Sequence, residues 1–217
     1  MSEAPQAKNY MEGSILRDTM ADILEREWPH AADVVRGWLA WGLDHLYLVG
    51  CGGSYATTLP PKWLLDRFST LPVDRYSGWD FVTRVPAGLN ERSAVVLGSH
   101  SGTTEELLLA HDLAKECGAS VVALTQPNTP LHEKAADALT YRSPASNLSK
   151  LLLGYLLTSE ILNQRDRAPE GESLRDGLAQ LPDAIDAVRI ATETRSRQMA
   201  AELRDVELYY IVGAGPL

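Results

Sequence analysis

From residue 43 onward, short apolar runs alternate with longer stretches whose apolar residues recur every three to four positions. Leu43 to Val49, Val73 to Ser77, Ala94 to Gly98, Ser120 to Thr125 and Ala138 to Tyr141 have the length and branched composition of strands. Between them, a stretch ending near Phe68, then Thr104 to Cys117, Pro130 to Ala136 and about Asn147 to Leu162 read as helices. Gly118 closes one helix, while Thr129 and Pro130 supply a cap and a first-turn proline for another. This alternation predicts an α/β fold, a doubly wound parallel sheet of five strands with helices on both faces. Ligands in such folds bind at the carboxyl ends of the strands.

The flanks differ from this core. Residues 14 to 41 carry apolar positions at helical spacing, interrupted at Trp28 and Pro29, which predicts two helices in an N-terminal segment spanning residues 1–42. Residues 163 to 175 are charged and contain Pro and Gly, so they read as a linker into a long helical region through about Leu203. Tyr209 to Gly215 echoes Leu46 to Gly52, each an apolar strand ending in Gly-x-Gly. That internal repeat predicts a complete domain at 43–165, a linker and long helix at 166–205, and the first strand of a second, truncated domain at 206–217.

Composition narrows the partners. A formal charge of -9 disfavours a sequence-independent grip on nucleic acid, which needs clustered Lys and Arg. No apolar run is long enough to cross a bilayer, and Met1 to Asn9 lacks the basic start and apolar core of a secretory leader, so no membrane partner and a cytoplasmic location are expected. Cys51 and Cys117 lack metal-ligand spacing and read as reduced thiols; no metal or cofactor is expected.

The chemistry concentrates on two loops. Ser99, Ser101, Thr103 and Thr104 set four hydroxyls around Gly102, between an apolar strand and an amphipathic helix. Free backbone N–H groups and the positive end of the helix dipole meet there, which favours an anion. Thr103 reads as a cap, with Glu106 at the capping-box position, and the other three hydroxyls read as an anion site. The second loop, Gly50-Cys51-Gly52-Gly53-Ser54, lets the backbone approach a ligand closely at a strand end. Cys51 in that turn reads as a packing residue.

His100 is open to two readings, a contact to sugar or phosphate and an exposed loop histidine. Glu105 and Glu106 could transfer protons if burial raised their pKa, but acids in a first helical turn also suit the dipole, and that reading is preferred. Pro60-Pro61 predicts that the helix after the first loop starts late or kinks.

Together, Gly50 to Ser54 and Ser99 to Thr104 resemble the Cys-Gly-x-Ser turn and the Ser-x-Ser-Gly-x-Thr phosphate loop of the SIS (sugar isomerase) domain family. The resemblance spans about residues 43 to 165 and implies the flavodoxin-like form of the sheet. Leu46 to Phe81, with Asp66-Arg67-Phe68 and Ser77-Gly78-Trp79-Asp80-Phe81, is most similar to the tandem-SIS fructoselysine 6-phosphate deglycase group. The isomerase half of the glucosamine-6-phosphate synthases comes next. The resemblance implies that Ser54, Ser99, Ser101 and Thr104 hold a substrate phosphate, with Gly52, Gly53 and His100 beside it. Lys150 falls where the synthases have a lysine near the site, whereas the deglycases differ at Leu148 and Lys150. Pro60-Pro61 departs from the family's uninterrupted first helix.

The resemblance implies an enzyme acting on a ketose 6-phosphate or fructosamine 6-phosphate through an enediol or enamine, a deglycase first and a sugar isomerase second. The catalytic residues are expected beyond Leu217, with Glu105 and His100 as the candidates inside the chain. A homo-oligomer is implied as well. A non-catalytic phosphosugar sensor is the third reading; residues 1–42 lack the Lys and Arg of a DNA-binding helix-turn-helix.

Overall fold

The computed structural model describes residues 15–142, 145–208 and 210. Five strands, β1 (His45–Gly50), β2 (Val73–Ser77), β3 (Ser93–Gly98), β4 (Ser120–Thr125) and β5 (Asp137–Thr140), form one parallel sheet in the order β2-β1-β3-β4-β5. Every residue of β3 is buried, which explains why its sequence is an unbroken small and apolar run. The strand order reverses between β1 and β3, where Gly50 pairs with Gly98 at the carboxyl ends. That is the switch point at which doubly wound sheets open a crevice.

Two cores lie on the two faces of the sheet. On one, Leu46, Leu48, Val96 and Val122 pack with α1 (Ile15–Ala40), α3 (Leu59–Phe68) and α7 (Ser146–Ile161). On the other, Tyr47, Val49, Val95 and Leu97 pack with α4 (Gly78–Arg84), α5 (Glu105–Glu116) and α6 (Pro130–Lys134). The single turn α2 (Gly53–Ala56) completes the first loop. Thr129 caps α6 as expected, its hydroxyl accepting from the His132 amide at 3.3 Å. Pro60 and Pro61 fall in the first turn of α3, so Thr57 and Thr58 separate α2 from α3 and the helix does start late.

Three readings of the flanks and connections are corrected. Residues 15–40 form one helix rather than two, with Pro29 inside it. Pro29 and Glu25, whose carbonyl loses its partner, are both exposed, so the missing bond lies on the solvent side of the helix. Meanwhile the buried stripe Met20, Ile23, Glu27, Ala31, Val34, Val35 and Trp38 runs through without a break.

The expected linker at 163–175 is instead a π-turn, Leu162–Asp166, followed by the start of α8 (Pro169–Glu202). Its charges act as ties. Arg175 donates to buried Glu160 at 2.7 Å, and Glu160 also accepts from the Trp28 indole at 2.8 Å and from Gln164 at 2.7 Å. These bonds join α1, α7, the π-turn and α8. Helix α4 was not anticipated: Ser77 caps it by accepting from the Asp80 amide at 3.1 Å. The echo at Tyr209 to Gly215 lies outside the described residues apart from Tyr210, and of the expected second domain at 206–217 only 206–208 and 210 are described. Among the described residues no helix is long and apolar enough to cross a membrane, and no cluster of His, Cys, Asp and Glu could hold a metal ion.

Candidate functional site

Both loops emerge at the switch point. After β1 the chain turns so tightly that a Cβ on Gly50 would lie 2.7 Å from the Ser54 carbonyl carbon and 2.7 Å from the Tyr55 nitrogen. Only glycine permits that approach. Gly52 adopts φ 52 and precedes α2, and Ser54 is buried. A Cβ on Gly53 would meet the Asn147 side chain at 2.8 Å, so the start of α7 closes over the turn. Arg75 locks α2 from below, donating to the Tyr55 carbonyl at 2.8 Å and the Thr58 hydroxyl at 2.7 Å. Cys51 packs its Sγ against Gly78, and burial pushes its thiol pKa up, consistent with a packing role.

The loop after β3 is organised from within. Ser99 is buried, and its Oγ accepts from the Gly102 amide at 3.0 Å and lies 3.2 Å from the Thr104 hydroxyl. Gly102 has φ 63, and a Cβ there would collide with the Thr129 side chain. Ser101 is exposed; its Oγ accepts from the Thr103 hydroxyl at 2.8 Å and from the Thr103 amide at 3.3 Å.

The N-cap of α5 is Thr104, without a side-chain cap bond, so the expected capping box of Thr103 and Glu106 is not formed. Thr103 is used inside the loop instead. The start of α5 lies at this loop, with the Leu107 and Leu108 amides donating to the Thr104 carbonyl at 3.0 and 3.1 Å. Ser101 Oγ accepts both of its bonds and keeps its own proton to offer, while Ser99 and Thr104 share one hydroxyl–hydroxyl bond in which either can donate, and Ser99 holds the loop in shape.

Lys150 reaches this crevice from α7. It is only 2% exposed, and its Cδ lies 3.8 Å from where a Gly98 Cβ would stand, beside the Ser54 Cβ at 3.6 Å. The lysine stem thus packs at ordinary van der Waals distance from the end of β3. Burial alone pushes the amine down from 10.5 to about 8. A cavity of about 20 Å3 lies under it, lined by Ser54, Lys150 and Thr158 among Leu48, Val96 and Leu157.

His100 is half-buried between the two loop serines, its Nδ1 3.1 Å from the Tyr141 hydroxyl. Burial first, and the charge of Lys150 second, lower its pKa. The two acids do not join this group. Glu105 is exposed, and the Cβ of Glu106 lies against Gly78 on α4, on the Cys51 side of the turn. The dipole reading therefore accounts for both.

Ser54, Ser99, Ser101, Thr104, His100 and Lys150 are thus brought to the ends of β1 and β3, with Gly52 and Gly53 in the turn beside them. Asn147, Arg75 and Tyr141 were missed. Each acts on a partner 17 or more residues away in sequence, a distance at which periodicity carries no signal.

Comparisons with known proteins agree with this geometry. The SIS domain profile matches residues 42–164. Fructoselysine 6-phosphate deglycase of Escherichia coli K12 is 31% identical over 196 residues, covering 90% of this chain and 58% of its own length. Glutamine--fructose-6-phosphate aminotransferase of Corynebacterium glutamicum is 28% identical over 211 residues, covering 91% of this chain and 34% of its own length. The chain thus spans little more than half of the deglycase it matches. Among solved structures, a candidate phosphosugar isomerase of Salmonella typhimurium LT2 superposes with a TM-score of 0.74 at 27% identity, covering 83% of this chain and 57% of that one. Since the profile match takes in all five strands and both loops, the chain belongs to the SIS domain family.

Proposed function

We propose that this chain binds the phosphate of an open-chain ketose 6-phosphate, and that the protein acts as a deglycase on a fructosamine 6-phosphate. The observation that carries the reading is the convergence at the switch point. Ser54, Gly98 and Lys150 line one cavity at the end of β1 and β3, and the hydroxyls of Ser99, Ser101 and Thr104 follow directly after β3. Charge-assisted hydrogen bonds from such donors are about twice as strong as neutral ones. A dianion would also give Lys150 the counter-charge that its surroundings lack.

The deglycase reaction proceeds in balanced steps. A proton leaves C1 of the ketoamine as the C2 oxygen takes one up, giving an enaminol, and a proton is then delivered to C2 as the amine N–H proton leaves, giving an imine at C1. Water adds across that C=N bond, and the amine departs with a proton, leaving an aldose 6-phosphate. Glu105 is exposed and the Glu106 Cβ lies against Gly78, and the general base is not assigned to either. Deglycase relatives of the kind found by comparison support this order of preference over ketose to aldose isomerisation. The same reading takes the protein as a cytoplasmic homo-oligomer.

Titration calorimetry with fructose 6-phosphate tests the site. Ser101→Ala and Thr104→Ala should each weaken binding by about tenfold or more, given about 1.5–3 kcal/mol per hydrogen bond to a charged group. Unchanged affinity in both would remove the loop from the phosphate. Release of free amine from fructosamine 6-phosphates, measured against turnover of plain hexose 6-phosphates, separates deglycase from isomerase.

A further inference from the structure

His100 faces Tyr141 across the carboxyl end of the sheet. The two rings are nearly parallel, at 20° with centroids 5.9 Å apart, and Nδ1 lies 3.1 Å from the phenol oxygen. Tyr141 follows β5 and is completely buried, and burial holds its phenol well above the ordinary pKa of 10, so it keeps its proton. Among the described residues, the hydrogen-bond partner of that hydroxyl is His100 Nδ1.

The direction of the bond follows. If Nδ1 carried the ring proton, the phenol would accept it and strand its own O–H in the core, at a cost of about 1–3 kcal/mol. If Nδ1 is bare, the phenol donates to it and no buried donor is left over. The ring proton then resides on Nε2, the nitrogen on the far side from Tyr141. The titratable groups that act on the ring, Tyr141 after β5 and Lys150 on α7, both leave it uncharged: the first is a neutral donor, the second a positive neighbour.

We propose that Tyr141 is a positioning residue that holds His100 in the tautomer with its proton on Nε2, so that the ring presents a hydrogen-bond donor to an oxygen of the bound sugar. The identity of the acceptor rests on the phosphosugar reading; the tautomer does not. A neutral N–H aimed at a sugar oxygen stabilises negative charge as an enediolate or enaminolate develops. It also removes His100 from the role of general base, because Nε2 already carries a proton and a second would make a cation beside Lys150.

Long-range 1H–15N correlation spectra of 15N-histidine-labelled protein at pH 7.5 test this directly, with His100→Gln used to assign the signal among the five histidines. The expected pattern is a pyridine-like Nδ1 and a pyrrole-like Nε2. A proton on Nδ1, or the two similar shifts of a charged or tautomer-averaged ring, would overturn the assignment. Tyr141→Phe keeps the buried ring and removes only the hydroxyl, so its spectrum should move toward a mixture of tautomers, and fructose 6-phosphate affinity should fall by about threefold to tenfold. An unchanged spectrum in a folded variant would sink the role of Tyr141. If that variant does not fold, the wild-type spectrum alone decides. Failure of the wild type to bind fructose 6-phosphate would count against the phosphosugar reading and leave the tautomer result standing.

Discussion

Replacing Lys150 with methionine should stabilise the protein while damaging its binding site. The residue is only 2% exposed, and burial pushes its amine pKa from 10.5 to about 8. At about 1.4 kcal/mol per tenfold change, that fall corresponds to a penalty of about 3 kcal/mol for holding the charge in the folded state. Below pH 8 both folded and unfolded chains carry the proton, and the penalty is present in full. Between pH 8 and about 10.5 the folded chain has released the proton and the unfolded chain has not. Unfolding there takes up a proton, so stability rises with pH and the penalty disappears above that window.

Lys150→Met keeps the unbranched stem against Gly98 and removes the charge. Urea denaturation at pH 7 should therefore show a gain of about 2–3 kcal/mol, and the wild type's rise between pH 8 and 10 should be absent from the variant. Fructose 6-phosphate binding should weaken by about tenfold or more, because the ammonium that stabilises the dianion is gone. A variant less stable than wild type at pH 7 would refute the desolvation argument. Unaltered binding would refute the pairing with phosphate.

Three further outcomes follow from the same geometry. Gly102→Ala forces φ 63 on a residue with a Cβ and drives that Cβ into Thr129, so thermal denaturation should show a loss of about 1–3 kcal/mol; an unchanged midpoint would mean the loop can relax. Glu160→Ala leaves the Trp28 indole N–H unpaired in the packing between α1 and α7 and should cost about 3 kcal/mol in urea, whereas Glu160→Gln should cost less; equal losses would mean that the charge facing Arg175, and not the acceptor for Trp28, carries the cost. Ser99→Ala should lower the melting temperature as well as the affinity, because its Oγ braces Gly102 and Thr104, while Ser101→Ala at an exposed position should lower affinity alone; the reverse pattern in paired melting and calorimetry experiments would exchange their roles.

The centre of the sheet was legible because β1, β3 and β4 are buried on both faces. A run such as Ser93 to Gly98, without a polar interruption to be explained, has few other places in a fold. The flanks were harder, since punctuation by proline and charge depends on what surrounds it. Pro29 breaks a helix only if the orphaned carbonyl is also denied water, and Glu25 is exposed. The charges of 163–175 look like a solvated linker until Glu160 and Trp28, on two other helices, are seen to receive Arg175. No local pattern contains that pairing.

The site divides along the same line. Hydroxyls around a glycine at a strand-to-helix junction are a local signal, and the loop at Ser99 is where that signal places it. What the hydroxyls can do depends on residues that only the sheet assembles. Lys150 is a lysine in Ser149-Lys150-Leu151-Leu152-Leu153, a helix buried on most sides, and its low exposure follows from α7 packing over Gly98. Tyr141 meets His100 because β5 lies two strands from β3 in the same parallel sheet. The first contact places a positive charge beside the loop, and on the phosphosugar reading its cost falls when a dianion arrives. The second sets which face of the imidazole carries a proton. Binding strength and donor geometry are therefore encoded at α7 and at the end of β5, while the loop supplies the place where both are used.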